Sequence, residues 1–212
     1  ALRAVDTALI MIDAHAGIKV NTRRAWQEAG NAGLGRILCT SKLDTDNIDF
    51  PGLVSTIQEV FGSSCALFNV PFGRGHDLGG VASTLEVPAD TKGAIVNPAS
   101  VSEAVLESII EADENVMEKY FEGEMPSKAE LERLCVEAVR QGTLTPIVCI
   151  STKAGVGIDD VLTTLLQCSL PPTAVPRSGA KDGDTVTLKA DPSAPLAAQV
   201  FKTRIDPFVQ RL

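Results

Sequence analysis

Short apolar runs closed by polar residues set the organisation of this chain. Ala8-Leu-Ile-Met-Ile12, Arg36-Ile-Leu-Cys-Thr40 and Pro146-Ile-Val-Cys-Ile150 have continuously apolar centres, the pattern of parallel strands buried on both faces. Helical patterns lie between and after them. Asn21 to Ala29 carries Ala25, Trp26 and Ala29 at helical spacing, with Gly30 and Gly33 as stop signals. Ile158, Val161, Leu162, Leu165 and Leu166 recur at helical spacing, and Pro171-Pro172 ends that helix. Strand and helix in alternation predict an α/β fold, a parallel sheet with flanking helices.

The middle of the chain reads differently. Cys65 to Val70 predicts another strand, followed by a Gly-rich stretch and weaker strand signals from Val81 to Val87. A long helix is expected from about Val101 to Phe121, with Val105, Ile109, Ala112, Val116 and Tyr120 on one face. Ser127-x-x-Glu130 forms a capping box for a second helix, whose apolar stripe is Leu131, Leu134, Cys135, Ala138 and Val139. This is an α+β insertion between two strands of the main sheet. Its outer face is rich in glutamate, including Glu111, Glu114, Glu118, Glu122 and Glu132. Pro171 to Pro195 reads as a linker with a short hairpin around Thr185 to Leu188, and Leu196 to Leu212 alternates like a strand opening a new β domain.

Composition narrows the function. With 19 Lys+Arg against 27 Asp+Glu the net charge of the 212 residues is −8, which argues against a broad phosphate-neutralising surface and hence against duplex DNA as a partner. No apolar run approaches the ~20 residues that a membrane helix needs. The five cysteines are an odd number, widely spaced and without C-x-x-C. That suits reduced, buried thiols in a cytoplasmic protein better than disulfides or zinc. His15 and His76 have no ligand cluster at metal spacing, so no metal site is expected.

The sharpest chemical feature is Ser41-Lys42-Leu43-Asp44, directly after the second apolar run. In an open parallel sheet, ligands bind beyond the carboxyl ends of the strands. An ionised aspartate accepts two parallel hydrogen bonds, matching the adjacent N1–H and N2–H₂ donors of guanine, and the aliphatic stem of Lys42 suits a base face. On local spacing alone, a solvated Lys and Asp in a loop is the commoner outcome. Ser151-Thr152-Lys153 occupies the equivalent place after the third run, where a hydroxyl and backbone N–H groups approach the carbonyl of the same base. Two such loops converging on one planar ligand are more informative than either alone. Two other glycine-rich segments carry less. Gly30 to Gly35 follows a helix and precedes a strand, the reverse of a dinucleotide loop, and Phe72 to Gly80 is more simply a turn than an anion-binding nest.

These motifs are familiar together. Ser41-Lys-Leu-Asp44 resembles the N-K-x-D guanine-specificity motif of P-loop GTPases, and Ser151-Thr152-Lys153 resembles their S-A-x motif. Ala1 to Ile18 is similar to the stretch after switch II of translational GTPases. Gln58 to Gly62 and Asn69 to Gly73 are similar to the start of the insertion in bacterial elongation-factor-G-like GTPases, Met117 to Glu124 to its helical part, and Pro195 to Leu212 to the opening of their domain II. The resemblance implies a partial P-loop GTPase-type sheet: 1–62 as the second part of the G domain, 63–143 as its α+β insertion, 144–171 as its last strand and helix, 172–194 as linker, and 195–212 as the first strand of a β-barrel domain II. It implies guanine contacts from Ser41, Lys42, Asp44, Ser151 and Thr152, with the ribosome and guanine nucleotide as partners and the acidic insertion docking basic ribosomal proteins.

Neither G-x-x-x-x-G-K-S/T nor D-x-x-G-H occurs in these 212 residues. The family uses these to cradle phosphates, hold magnesium and position water, and places them upstream of the position matching Ala1. The chain is therefore expected to be an interior fragment of a translocase, without catalytic or metal-binding residues of its own and inactive alone. GTP or GDP with magnesium would belong to the longer parent. Ser41 stands where the family has Asn, which lowers nucleotide affinity unless Thr40 and water compensate. A ribosome-binding paralogue with a degenerate nucleotide site, or a ribosome-protection or release-factor relative, is the alternative.

Overall fold

The structure, a computed structural model, describes residues 2–175 and 177–203. In chain order the elements are β1 (Thr7–Asp13), α1 (Val20–Asn31), β2 (Gly35–Ser41), α2 (Phe50–Phe61), β3 (Cys65–Leu67), β4 (Asn69–Phe72), β5 (Gly80–Ser83), α3 (Pro98–Ile110), α4 (Glu114–Phe121), α5 (Lys128–Gln141), β6 (Thr145–Cys149), α6 (Ile158–Cys168), β7 (Arg177–Lys181) and β8 (Asp184–Leu188). Four strands form one parallel sheet in the order β1-β2-β6-β3. Strand periodicity sends alternate residues of β2 to opposite faces. Ile37 and Cys39 enter a core with Val148, Ile109, Leu134 and Leu144, whereas Leu38 joins Ile147, Phe50 and Ile57 on the other side. Both faces of the sheet centre are thus covered, as a parallel sheet requires. All five cysteines are buried free thiols, and burial pushes Cys149 up to about 12.

The first apolar run departs from the expectation of burial on both faces. Ile10 and Ile12 are buried, but Leu9 and Met11 remain 38% and 49% exposed. The reason lies in helix placement: α3, α5 and α6 lie over β3, β2 and β6, and among the described residues β1 is at the sheet edge.

The helix expected from Val101 to Phe121 is two helices, α3 and α4. Asp113 interrupts it, because its carboxylate accepts the Asn115 N–H (3.2 Å) and caps α4, a local bond that competes with helix continuation. Its other oxygen accepts from Arg133 on α5 at 2.9 Å, fixing the break against the next helix. The single strand expected over Cys65 to Val70 is likewise divided. β3 pairs with β6 as far as Leu67–Ile147. There the buried Asn69 side chain takes over, accepting from Cys149 N–H at 2.7 Å and donating to Cys149 C=O at 3.2 Å. With that edge of β6 satisfied, the chain leaves the sheet and pairs β4 antiparallel with β5.

Helix α2 has no counterpart among the expected elements, although its signals are ordinary. Asp49 accepts the Gly52 N–H, proline sits in the first turn, and Phe50, Leu53, Ile57 and Phe61 are buried along one stripe. The Ser127–Glu130 capping box forms as expected. Within the expected linker, β7 and β8 make an antiparallel hairpin. Residues 195–203 carry no strand, and the remainder of the segment expected to open a β domain, 204–212, lies outside the described residues. No helix among the described residues is long and apolar enough to cross a membrane.

Leu134 is fully buried between α5 and the sheet. Truncating it in Leu134→Ala is expected to lower stability by about 2–5 kcal/mol, read as a lower urea midpoint at unchanged slope.

Candidate functional site

Parallel registration brings the carboxyl ends of three strands level. Asp13 lies opposite Ser41 across β1 and β2, and Thr40 lies opposite Cys149 across β2 and β6. The loops that follow are then joined by backbone bonds: Ile150 N–H donates to Thr40 C=O at 2.8 Å, Leu43 N–H to Ile150 C=O at 3.4 Å, and Ala14 N–H to Ser41 C=O at 2.9 Å.

On this frame Asp44 and Ser151 meet. The Ser151 hydroxyl donates to Asp44 Oδ1 at 2.5 Å and accepts the Ala154 N–H at 3.1 Å. Ser151 itself is buried, and reciprocal backbone bonds with Val156 (2.9 and 3.0 Å) close its loop. Gly157 makes that closure possible. It sits at φ +76, and a Cβ there would lie 2.3 Å from the Cys149 carbonyl oxygen. The Ser151 hydrogen bond, ahead of the charges of Lys153 and His76, holds the Asp44 carboxyl below the usual aspartate range. Asp44 is thus an ionised acceptor of fixed orientation. Its bond to Ser151 uses one lone pair, and a carboxylate has room for further donors.

Lys42 is bound differently. Its backbone is left-handed, φ 62, its side chain is 63% exposed, and its ammonium donates to Asp13 Oδ2 at 2.6 Å. Asp13 Oδ1 accepts the backbone N–H groups of His15 and Ala16, both at 3.0 Å. The hydrogen bond with Lys42 lowers the Asp13 pKa and raises that of Lys42.

The remaining expected site residues do not all converge. The Ser41 hydroxyl donates to the Ile12 carbonyl at 3.3 Å, tying β2 to β1. Thr152 is exposed in the turn beyond Ser151. Two neighbours lie outside the expected motifs. Asp13 ends the first apolar run as a polar residue, which is the signal that the sequence offers for it. Asp46 pairs with His76 at 3.2 Å, while Gly75 packs so closely that a Cβ would lie 2.4 Å from Asp46 Oδ1. The β4–β5 connection therefore touches the loop that carries Asp44.

Residues 1–171 match the family model for the elongation factor Tu GTP binding domain. The chain belongs to this family. Over its whole length it is 29% identical to elongation factor G of Thermotoga maritima and 28% identical to that of Thermotoga petrophila, covering 33% of each relative. The chain therefore spans about a third of the curated relatives it matches. A crystal structure of a Thermus thermophilus protein superposes with a TM-score of 0.79 at 28% identity, over 99% of this chain and 31% of that one. The parallel sheet and its flanking helices are thus those of an elongation-factor-G-like GTP-binding domain.

For a carboxylate held low by a hydrogen bond, the associated stabilisation is present above the ordinary aspartate pKa and is lost as pH falls through the folded value. In Ser151→Ala the Asp44 carboxyl is expected to titrate upward, toward the usual range, when followed by carbon-13 NMR. An unchanged titration would show that the hydroxyl does not set it.

Proposed function

We propose that this chain is the base-selecting part of a GTP-binding translation factor of the elongation factor G type, a cytoplasmic protein acting on the ribosome. The observation that carries the reading is the Ser151–Asp44 contact at 2.5 Å, which joins the loops of two neighbouring strands at one carboxylate. Asp44 accepts from guanine N1–H and N2–H₂, the Lys42 stem packs on the base, and the Ser151–Thr152 loop meets its O6 through the Thr152 backbone N–H. The family match over residues 1–171 supports this assignment. Ser41 acts through β1 rather than on the base, since its hydroxyl is bonded to Ile12.

Phosphate and magnesium chemistry is not carried by these residues, which contain no G-x-x-x-x-G-K-S/T pattern. GTP hydrolysis, ribosomal translocation and docking of basic ribosomal proteins on the Glu-rich helices belong in this reading to a longer factor, consistent with the coverage of 33% of the relatives. A ribosome-binding paralogue with a degenerate nucleotide site is the second reading, favoured by Ser41 in the place of the family's Asn.

The 212-residue chain is expected to hydrolyse no GTP and to bind GDP only weakly, with a Kd of about 1–5 mM, roughly −3 to −4 kcal/mol. Micromolar binding in calorimetry would contradict this. In a protein uniting this chain with a phosphate loop, Asp44→Asn is expected to shift preference from GTP toward XTP by about tenfold to a hundredfold, because the amide donates to the carbonyl that xanthine carries at C2. Selectivity that stays with GTP would sink the base-reading assignment.

A further inference from the structure

Asp13 belongs to none of the motifs above, yet both of its carboxylate oxygens are hydrogen-bonded at the sheet's carboxyl edge. Its Oδ1 is fixed by two backbone N–H groups at 3.0 Å, from His15 and Ala16, so the group cannot swing with solvent as a surface aspartate does. Its Oδ2 takes the Lys42 ammonium at 2.6 Å. The other end of the lysine is equally constrained. Lys42 has φ 62, its carbonyl accepts Thr45 N–H at 3.1 Å, and the next residue's N–H donates to Ile150 C=O at 3.4 Å. A side chain that ordinarily samples many rotamers is therefore anchored at backbone and tip.

We infer that Asp13 is a positioning residue for base stacking: it clamps the Lys42 ammonium so that the methylene stem stands as a preformed wall of the guanine slot. This rests on the base-reading assignment above and adds a residue to it. The clamp has a sign that distinguishes it from plain electrostatics. A carboxylate near a phosphorylated ligand repels it, so removing the charge of Asp13 would tighten binding if charge were all that mattered. If the clamp matters, the same removal weakens binding, because the stem must then be ordered when the base arrives.

The test is GDP titration of the full chain by ligand-detected NMR, up to about 20 mM, in four variants. Asp13→Asn keeps a carbonyl oxygen for His15 and Ala16 and loses only the charged partner of Lys42. Lys42→Met keeps an apolar stem and loses the ammonium. Each is expected to weaken GDP by about two- to fivefold, and the double variant is expected to be no weaker than either single, since both remove one interaction. Asp44→Asn, measured alongside, is expected to abolish the GDP response. Unchanged or tighter binding in Asp13→Asn, or losses that add in the double variant, overturns the clamp while leaving the base-reading assignment standing if Asp44→Asn still abolishes binding. No effect of Asp44→Asn, or no GDP response from the unaltered chain, overturns both.

Discussion

The chain's candidate chemistry depends on the parallel register of β1, β2 and β6. Parallel strands that start level also end level, and here Asp13, Ser41 and Cys149 close their strands along one edge. The backbone groups at such ends have no further strand to pair with and must find other partners. They do so across the loops, Ile150 with Thr40 and Leu43 with Ile150, and this stitching holds Ser151 against Asp44. The resulting O–H···O⁻ bond at 2.5 Å is of the short, charge-assisted kind. Shifting β6 by one residue would reverse the facing of every β6 side chain and separate the two loops.

The same accounting explains why the insertion leaves the sheet where it does. β6 presents one edge to β2 and the other first to β3, then to the side chain of Asn69, which takes both the N–H and the C=O of Cys149. A buried amide thereby replaces a strand residue, and no polar side-chain atom is left unsatisfied in the buried interior among the described residues. Freed from the sheet, the chain forms the β4–β5 pair, whose connection returns to the site through Gly75 and His76 at Asp46. The insertion also shares the main core: Val105, Ile109 and Leu134 pack with Ile37 and Val148 of the sheet. Its helices are one face of the same layered body.

How much of this is legible in the residues alone varies with the kind of signal. The three apolar runs identify β1, β2 and β6, because continuous hydrophobicity is what central strands need. The run at Ala8 to Ile12 does not reveal that one face is open at Leu9 and Met11, since that depends on which helices cover it. The helix break at Asp113 and the strand break at Asn69 both turn on one polar side chain bonding to backbone, an outcome that hydrophobic periodicity does not register. Asp44 and Ser151 stand out because each lies within a few residues of a strand end. Asp13 satisfies the same rule and escapes notice, because nothing in linear spacing connects it with Lys42, twenty-nine residues away; strand registration alone makes them neighbours.

That pairing also bears on how a protein of net charge −8 is suited to a nucleotide. Bringing polyanions to such a surface by long-range attraction is unfavourable, and Lys42, one of the cations at the sheet's carboxyl edge, is already paired with Asp13. Recognition of a planar base does not need a positive field. It needs an acceptor of fixed direction, an apolar face and donors at set positions. On the proposed reading, Asp44 fixed by Ser151, the stem of Lys42 fixed by Asp13, and the closed loop ending at Gly157 supply those in turn. A site of this kind discriminates between bases while adding little attraction for their phosphates, so selectivity and affinity reside in different parts of a GTP-binding domain.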